Sequence, residues 1–227
     1  MSDRLWQRLG AGCGIVYVVL LITAGSIVGS GDAAIARASA DAAASAATAI
    51  GFSLEVFSFL FFLFFLGSLW SALRRAEGEN GWLSMVAFAS GLMSVTIKLA
   101  SASSVFAALY RVREGLDPQI VRALLDMNDA AFSISFFPLV VLLVASGIVI
   151  IRSGALPRWL GWLAGLLAIA LMGGGLVGVI YHSEDAGLPF LLFWLWIVMT
   201  SIVLMRRAGQ PVPPVSGAFV TPPSAVS

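Results

Sequence analysis

The sequence predicts an all-α integral membrane protein, a helical bundle of six transmembrane helices with both ends in the cytoplasm. Three observations predict it. Of 227 residues, 59% are hydrophobic and only 11% charged, less than half the charged share of an average soluble domain, so the chain lacks the polar surface to meet water. The apolar residues arrive in long blocks, not at the spacing of a half-buried helix or the alternation of a strand. Eight of the twelve arginines fall at the two ends of the chain and in every second gap between those blocks, against four in the other gaps.

A span needs about 20 apolar residues, because the hydrocarbon core is about 30 Å thick and a helix rises 1.5 Å per residue. Six segments meet that requirement: Leu9 to Gly29, Ile50 to Leu73, Trp82 to Leu109, Ala130 to Ile151, Trp159 to Tyr181 and Leu188 to Met205. Backbone groups inside lipid must bond within their own segment, so each is helical; a closed barrel would need alternating polar positions, and these are absent. The six spans form one domain, residues 1–207. The remainder, 208–227, holds five of the prolines and few apolar residues, which predicts a disordered cytoplasmic tail.

Charge sets the orientation. Arg4, Arg8, Arg74, Arg75, Arg152, Arg158, Arg206 and Arg207 fall on one side, and only Arg37, Arg111, Arg113 and Arg122 on the other. The positive-inside rule therefore puts both ends in the cytoplasm. Trp6, Trp70, Trp82, Trp159 and Trp162 lie at the same boundary, where indole rings favour the headgroup zone. The competing reading of the first span is a signal peptide: Arg4 and Arg8 resemble its basic start, and Ala38-Ser39-Ala40 a small-residue cleavage site. The apolar run ends near Gly29, however, about ten residues before that site. With twelve arginines against one lysine and many alanines and glycines, the chain also carries the imprint of GC-rich coding DNA, so the expected location is a bacterial cytoplasmic membrane.

Two segments beyond the spans carry structure signals. Asp32 to Thr48 is rich in alanine and serine and reads either as a weak surface helix or as a solvated loop. Asp117 can cap a helix that begins at Pro118 and either lies on the membrane or runs straight into the fourth span.

Helices in lipid associate by close approach and polar contact, since lipid tails are as apolar as leucine. Gly10 and Gly14, Gly25 and Gly29, Gly161 and Gly165, and Gly174 and Gly178 each stand four apart, placing small residues on one face of the first and fifth helices. Together they nominate the fifth helix as a central packing element. Phe57, Phe59, Phe61, Phe62, Phe64 and Phe65 surround the second helix on all sides, as befits lipid contact on one face and bundle filling on the other. Pro138, inside the fourth span, removes a backbone donor and predicts a kink.

Among polar residues, Lys98 stands first. It is the only lysine and lies sixteen residues into the third span. A central lysine costs about 2.5–3.5 kcal/mol on insertion scales, so it should face the bundle interior and find a partner. Ser90, Ser94, Lys98 and Ser101 recur at intervals of four, four and three, drawing one polar stripe along the helix. By depth, Glu55 is the first candidate partner and Asp129 the second. The functional reading of such a site is a proton or ion relay or a pocket for an anionic ligand; the structural reading is an ion pair between helices.

Other chemistry is poorly supported. Cys13 is the only cysteine, which excludes an internal disulfide and a cysteine metal cluster; it lies at the start of the first apolar run, whereas a lipid-modified cysteine would follow one, and reads as a packing residue. His182 is the only histidine, beside Glu184 and Asp185, a set that makes a poor metal cage. No metal, cofactor or nucleic-acid partner is expected, because the arginines form no basic stripe. No phosphate-cradling loop, nucleophile elbow or zinc-protease helix is present. The expected partner is the lipid bilayer, while protein partners and a homo-oligomer are not legible.

The stretch FFPLVVLLVASGIVIIRSGALPRWLGWL, from Phe136 to Leu163, resembles an uncharacterised bacterial family of small multi-spanning membrane proteins, the domain of unknown function 4386. The resemblance lies in a span, a Ser-Gly turn, then Leu156, Pro157, Arg158, Leu160 and Gly161 leading into the next span. It implies a multi-spanning membrane protein without an assigned activity, and it transfers no catalytic residue. The physical roles of these residues stand beside it: Gly154 ends one helix, Pro157 opens the next, Arg158 anchors at the headgroups and Gly161 allows a close neighbour. Three functions are then compatible with the chain: a non-enzymatic accessory, regulatory or structural protein, a small ion-coupled carrier using Lys98, Glu55 and Asp129, and, lacking a catalytic constellation, a lipid-active enzyme.

Overall fold

The structure is a computed structural model that describes residues 3–28, 42–78, 81–112, 117–181 and 187–208. Within them the chain forms six α-helices and no strand: α1 (Asp3–Val28), α2 (Ala42–Glu77), α3 (Trp82–Val112), α4 (Pro118–Ser153), α5 (Arg158–Tyr181) and α6 (Gly187–Arg207). Each is long and apolar enough to cross a membrane. Consecutive helices pack against one another, α6 returns to α1, and α2 reaches across to α4 and α6, so the bundle closes on itself.

Two helices are longer than their apolar cores. α2 begins at Ala42, so the described part of the alanine- and serine-rich segment is neither a separate surface helix nor a loop. Alanine is the best helix former, and extending an existing helix adds one hydrogen bond per residue without a new nucleus. α4 runs from Pro118 through its span without a break. The Asp117 carboxylate accepts from the Gln119 amide at 2.8 Å with Pro118 in the first turn, and Gly154 ends the helix at φ 67°, donating its amide to Ile150. At 36 residues α4 is about 54 Å long, more than the hydrocarbon is thick, so its first turns extend beyond it. The Ala38-Ser39-Ala40 site, His182 and the proline-rich tail lie outside the described residues.

The arginine-rich end is tied together by polar contacts between turns. The Glu77 carboxylate, at the end of α2, accepts from the amides of Leu83 (3.0 Å) and Ser84 (2.8 Å) and from the Ser84 hydroxyl, satisfying donors that the first turn of α3 would otherwise leave open. Arg207 at the end of α6 donates to the carbonyl of Ala155 at 2.5 Å, pinning α6 to the turn between α4 and α5.

α4 is the central element, which corrects the expectation that α5 would be. Two thirds of its most apolar stretch is buried (67%), against 33–39% in each of the other five helices. The glycines explain why. Gly161 does approach a neighbour: a Cβ there would stand 3.0 Å from the carbonyl oxygen of Gly147, and one on Gly147 would stand 2.9 Å from that of Gly161, so α4 and α5 meet backbone to backbone. Gly165, expected on the same packing face, meets nothing within 4 Å; spacing by four does not by itself place a neighbour opposite. Gly174 is half-buried, and the side of the helix at Gly178 lies outside the described residues. Instead Gly175, against Phe136, makes the second close approach. In α1, Gly10 faces Ser68 and Gly14 faces Phe65 and Ser201, while Gly25 meets nothing and Gly29 is outside the described residues.

Aromatic rings fill the middle. Tyr17 packs tilted against Phe59 and Phe62, Phe62 stacks on Phe65 and meets Phe193 edge-on, and Phe136 stacks on Phe190 and meets Phe132 edge-on. Phe62 and Phe65 are buried, whereas Phe57 and Phe64, on the other face of α2, are more than half exposed and meet lipid. Trp196 is buried and donates its indole N–H to the Leu160 carbonyl at 3.1 Å, joining α6 to α5.

Candidate functional site

The polar stripe of α3 turns inward. Ser94, Lys98 and Ser104 are buried and Ser90 and Ser101 half-buried, while Met93, Thr96 and Ser103 on the opposite side are exposed. Lys98 is sixteen residues from Trp82, which places it about 24 Å along the helix from the arginine-rich end. Its side chain is 8% exposed.

Three helices converge on that ammonium. From α2, Glu55 brings Oε1 to 3.7 Å from Lys98 Nζ, its own side chain 28% exposed. From α4, Asn128 presents Oδ1 at 3.3 Å from Nζ, and the Phe132 ring, one turn further along, lies 5.2 Å beneath the charge. The Ser101 hydroxyl stands 3.1 Å from the same Asn128 oxygen and 3.0 Å from the Lys98 carbonyl; with one proton, it serves either. A lysine offers only donors, so the amide of Asn128 is oriented with its oxygen toward Lys98. Ser94 donates to the Ser135 carbonyl at 3.1 Å, extending the contact between α3 and α4 toward Pro138, which is buried within an uninterrupted helix.

The structure thus brings Lys98, Glu55 and Ser101 together, and Ser94 belongs to the same seam. Asp129 is exposed; the neighbouring Asn128 is the α4 residue at the lysine. One residue is a rotation of about 100° on a helix, and the sequence reading, looking for charge, passed over the amide. The signal was there: Asn128, Phe132, Ser135 and Phe136 share the α4 face that meets α3 and the core.

The magnitudes describe a balanced site. At 3.7 Å the attraction is about 4 kcal/mol for an effective dielectric of about 20, similar to the insertion cost of a central lysine. The cluster makes the lysine tolerable within the membrane and sets which helix faces meet. Among the described residues no three His, Cys, Asp or Glu side chains stand together as a metal cage.

Fold and site together define a multi-pass membrane protein, a bundle of apolar helices with the Lys98–Glu55 ion pair inside it. The chain belongs to the family described as domain of unknown function DUF4386, which matches residues 11–206, all six helices apart from the first turns of α1 and the last residue of α6. No curated protein and no solved structure matches it.

Proposed function

We propose that this chain is a non-enzymatic protein of the bacterial cytoplasmic membrane, both ends in the cytoplasm, with an accessory, regulatory or structural role, and that Lys98, Glu55 and Asn128 form a clasp holding α2, α3 and α4 in register. The observation that carries the reading is closure: the ammonium is buried, and a carboxylate, an amide oxygen and an aromatic face from two other helices surround it. The surplus of arginines at one end supports the orientation. Lys98→Met tests the clasp. The variant should assemble but melt at a lower temperature in detergent than the wild type; an unchanged melting temperature would refute a structural role.

A second reading, a small ion-coupled carrier, is supported by Glu55, whose side chain remains partly exposed beside a cleft between α2 and α3. Ionisable groups inside a membrane commonly mark ion pathways. Under that reading Lys98→Met abolishes flux in proteoliposomes and leaves the melting temperature where it was.

A further inference from the structure

The ion pair at the centre of the clasp is too long for a hydrogen bond. Its 3.7 Å separation exceeds the range of about 2.7–3.2 Å over which N–H···O bonds form, and polar contacts of that length are commonly bridged. An ammonium has three protons. One goes to Asn128 Oδ1, and Phe132 attracts the charge without accepting a conventional hydrogen bond. Beside the pair lies a cleft whose polar wall is Glu55, Lys98 and Asn128, with Phe59, Ala102 and Val105 among the apolar ones. Its free space is about 10 Å³, close to what one water requires, and three polar neighbours is the usual number for a buried water.

From this we infer that the cleft is a binding site for a single water, which accepts from Lys98 and donates to Glu55, so that the clasp is bridged. Electrostatics select the ligand class. An anion drawn to Lys98 would meet the Glu55 charge, and a cation drawn to Glu55 would meet Lys98. A small neutral group that both donates and accepts satisfies the two at once, and the free space matches one water. The inference rests on the clasp reading of the same residues and adds what completes it.

Pulsed X-ray hydroxyl-radical labelling of the full chain in detergent tests it, since radicals made from a bound water oxidise the side chains in contact with it. Phe59 lines the cleft and is buried at 7% exposure, and Phe62 and Phe65, further along α2 and away from the cleft, are buried at 2% and 0%, so that all three are shielded from bulk solvent. Phe59 should be oxidised several-fold faster than either, and Ala102→Leu, which fills the cleft, should bring it down to their rate. Equal labelling of all three in the wild type would overturn the inference, as would Phe59 labelling that persists in the filled variant. The wild-type comparison needs no substitution, so a poorly folding variant does not remove the test. Slow Phe59 labelling together with a destabilised Lys98→Met protein would discard the water and keep the clasp.

Discussion

The seam between α3 and α4 and the seam between α4 and α5 solve one problem in different ways. Both join α4 to a neighbour inside a solvent that gives helices no reason to escape it. Toward α3, α4 offers hydrogen-bonding groups: Asn128 to Lys98 and Ser101, and the Ser135 carbonyl to Ser94. Toward α5 it offers the absence of a side chain, Gly147 lying against Gly161 and Phe136 filling the space over Gly175. Dispersion contacts are individually small and fall off steeply with distance, so the glycine seam depends on shape. The polar seam tolerates looser geometry but weakens when one partner is removed. A third junction, between α1 and α6, sets a polar group against a glycine without a polar contact: the buried Ser201 hydroxyl sits against Gly14 and has no hydrogen-bond partner among the described residues.

The largest expected effect lies at the glycine seam. Gly147→Leu forces backbone apart from backbone and should cost about 3 kcal/mol or more, the upper range of overpacking, read as a drop in detergent melting temperature. Gly165→Leu should change stability by less than about 0.5 kcal/mol, since that position meets nothing within 4 Å. Equal effects at the two would erase the distinction between the packed glycine of α4 and the open glycine of α5.

Next come the members of the polar seam, and their order is informative. Glu55→Gln leaves a buried ammonium without its counter-charge and should cost about 3 kcal/mol. Lys98→Met leaves the partly exposed Glu55, which can still reach water, and should cost nearer to about 1 kcal/mol. The double variant should be less destabilised than the two costs summed, and strict additivity in thermal melts would mean that the pair is not coupled. Asn128→Ala should fall between, at about 1–2 kcal/mol for a partly buried charge-assisted hydrogen bond. The smallest effect belongs to Ser201→Ala, which removes an unsatisfied hydroxyl and should leave stability unchanged or raise it by about 0.5 kcal/mol; a marked loss would show that the hydroxyl has a partner.

How much of this was legible in the sequence depends on range. The six spans, the Asp117–Pro118 cap and the Gly154 stop follow from local rules, because solvent, backbone and nearest neighbours decide them. The meeting of Lys98 and Glu55 was also within reach, since depth in a membrane is a coordinate that residue counting supplies. Rotation and what stands opposite a given face were not. Asn128 rather than Asp129 depends on the phase of α4 about its axis, and Gly161 differs from Gly165 only in what lies opposite. Gly147 has no glycine four residues away, so a spacing rule could not find it; its partner is on another helix. The length of α2 escaped for another reason, as apolarity marks the part of a helix in lipid and says little about the part beyond it.

The central claim is that Lys98 is sealed into a clasp with room beside it for one water. Because it is the only lysine in the chain, a water-soluble N-hydroxysuccinimide ester followed by peptide mass spectrometry reads it directly, with the N-terminal amine as internal control. In the folded protein the N-terminus should be acylated and Lys98 left intact, and both should react after denaturation in SDS. Acylation of Lys98 in the folded protein at a rate comparable to the N-terminus would mean an open aqueous cavity, contradicting the clasp and favouring the carrier.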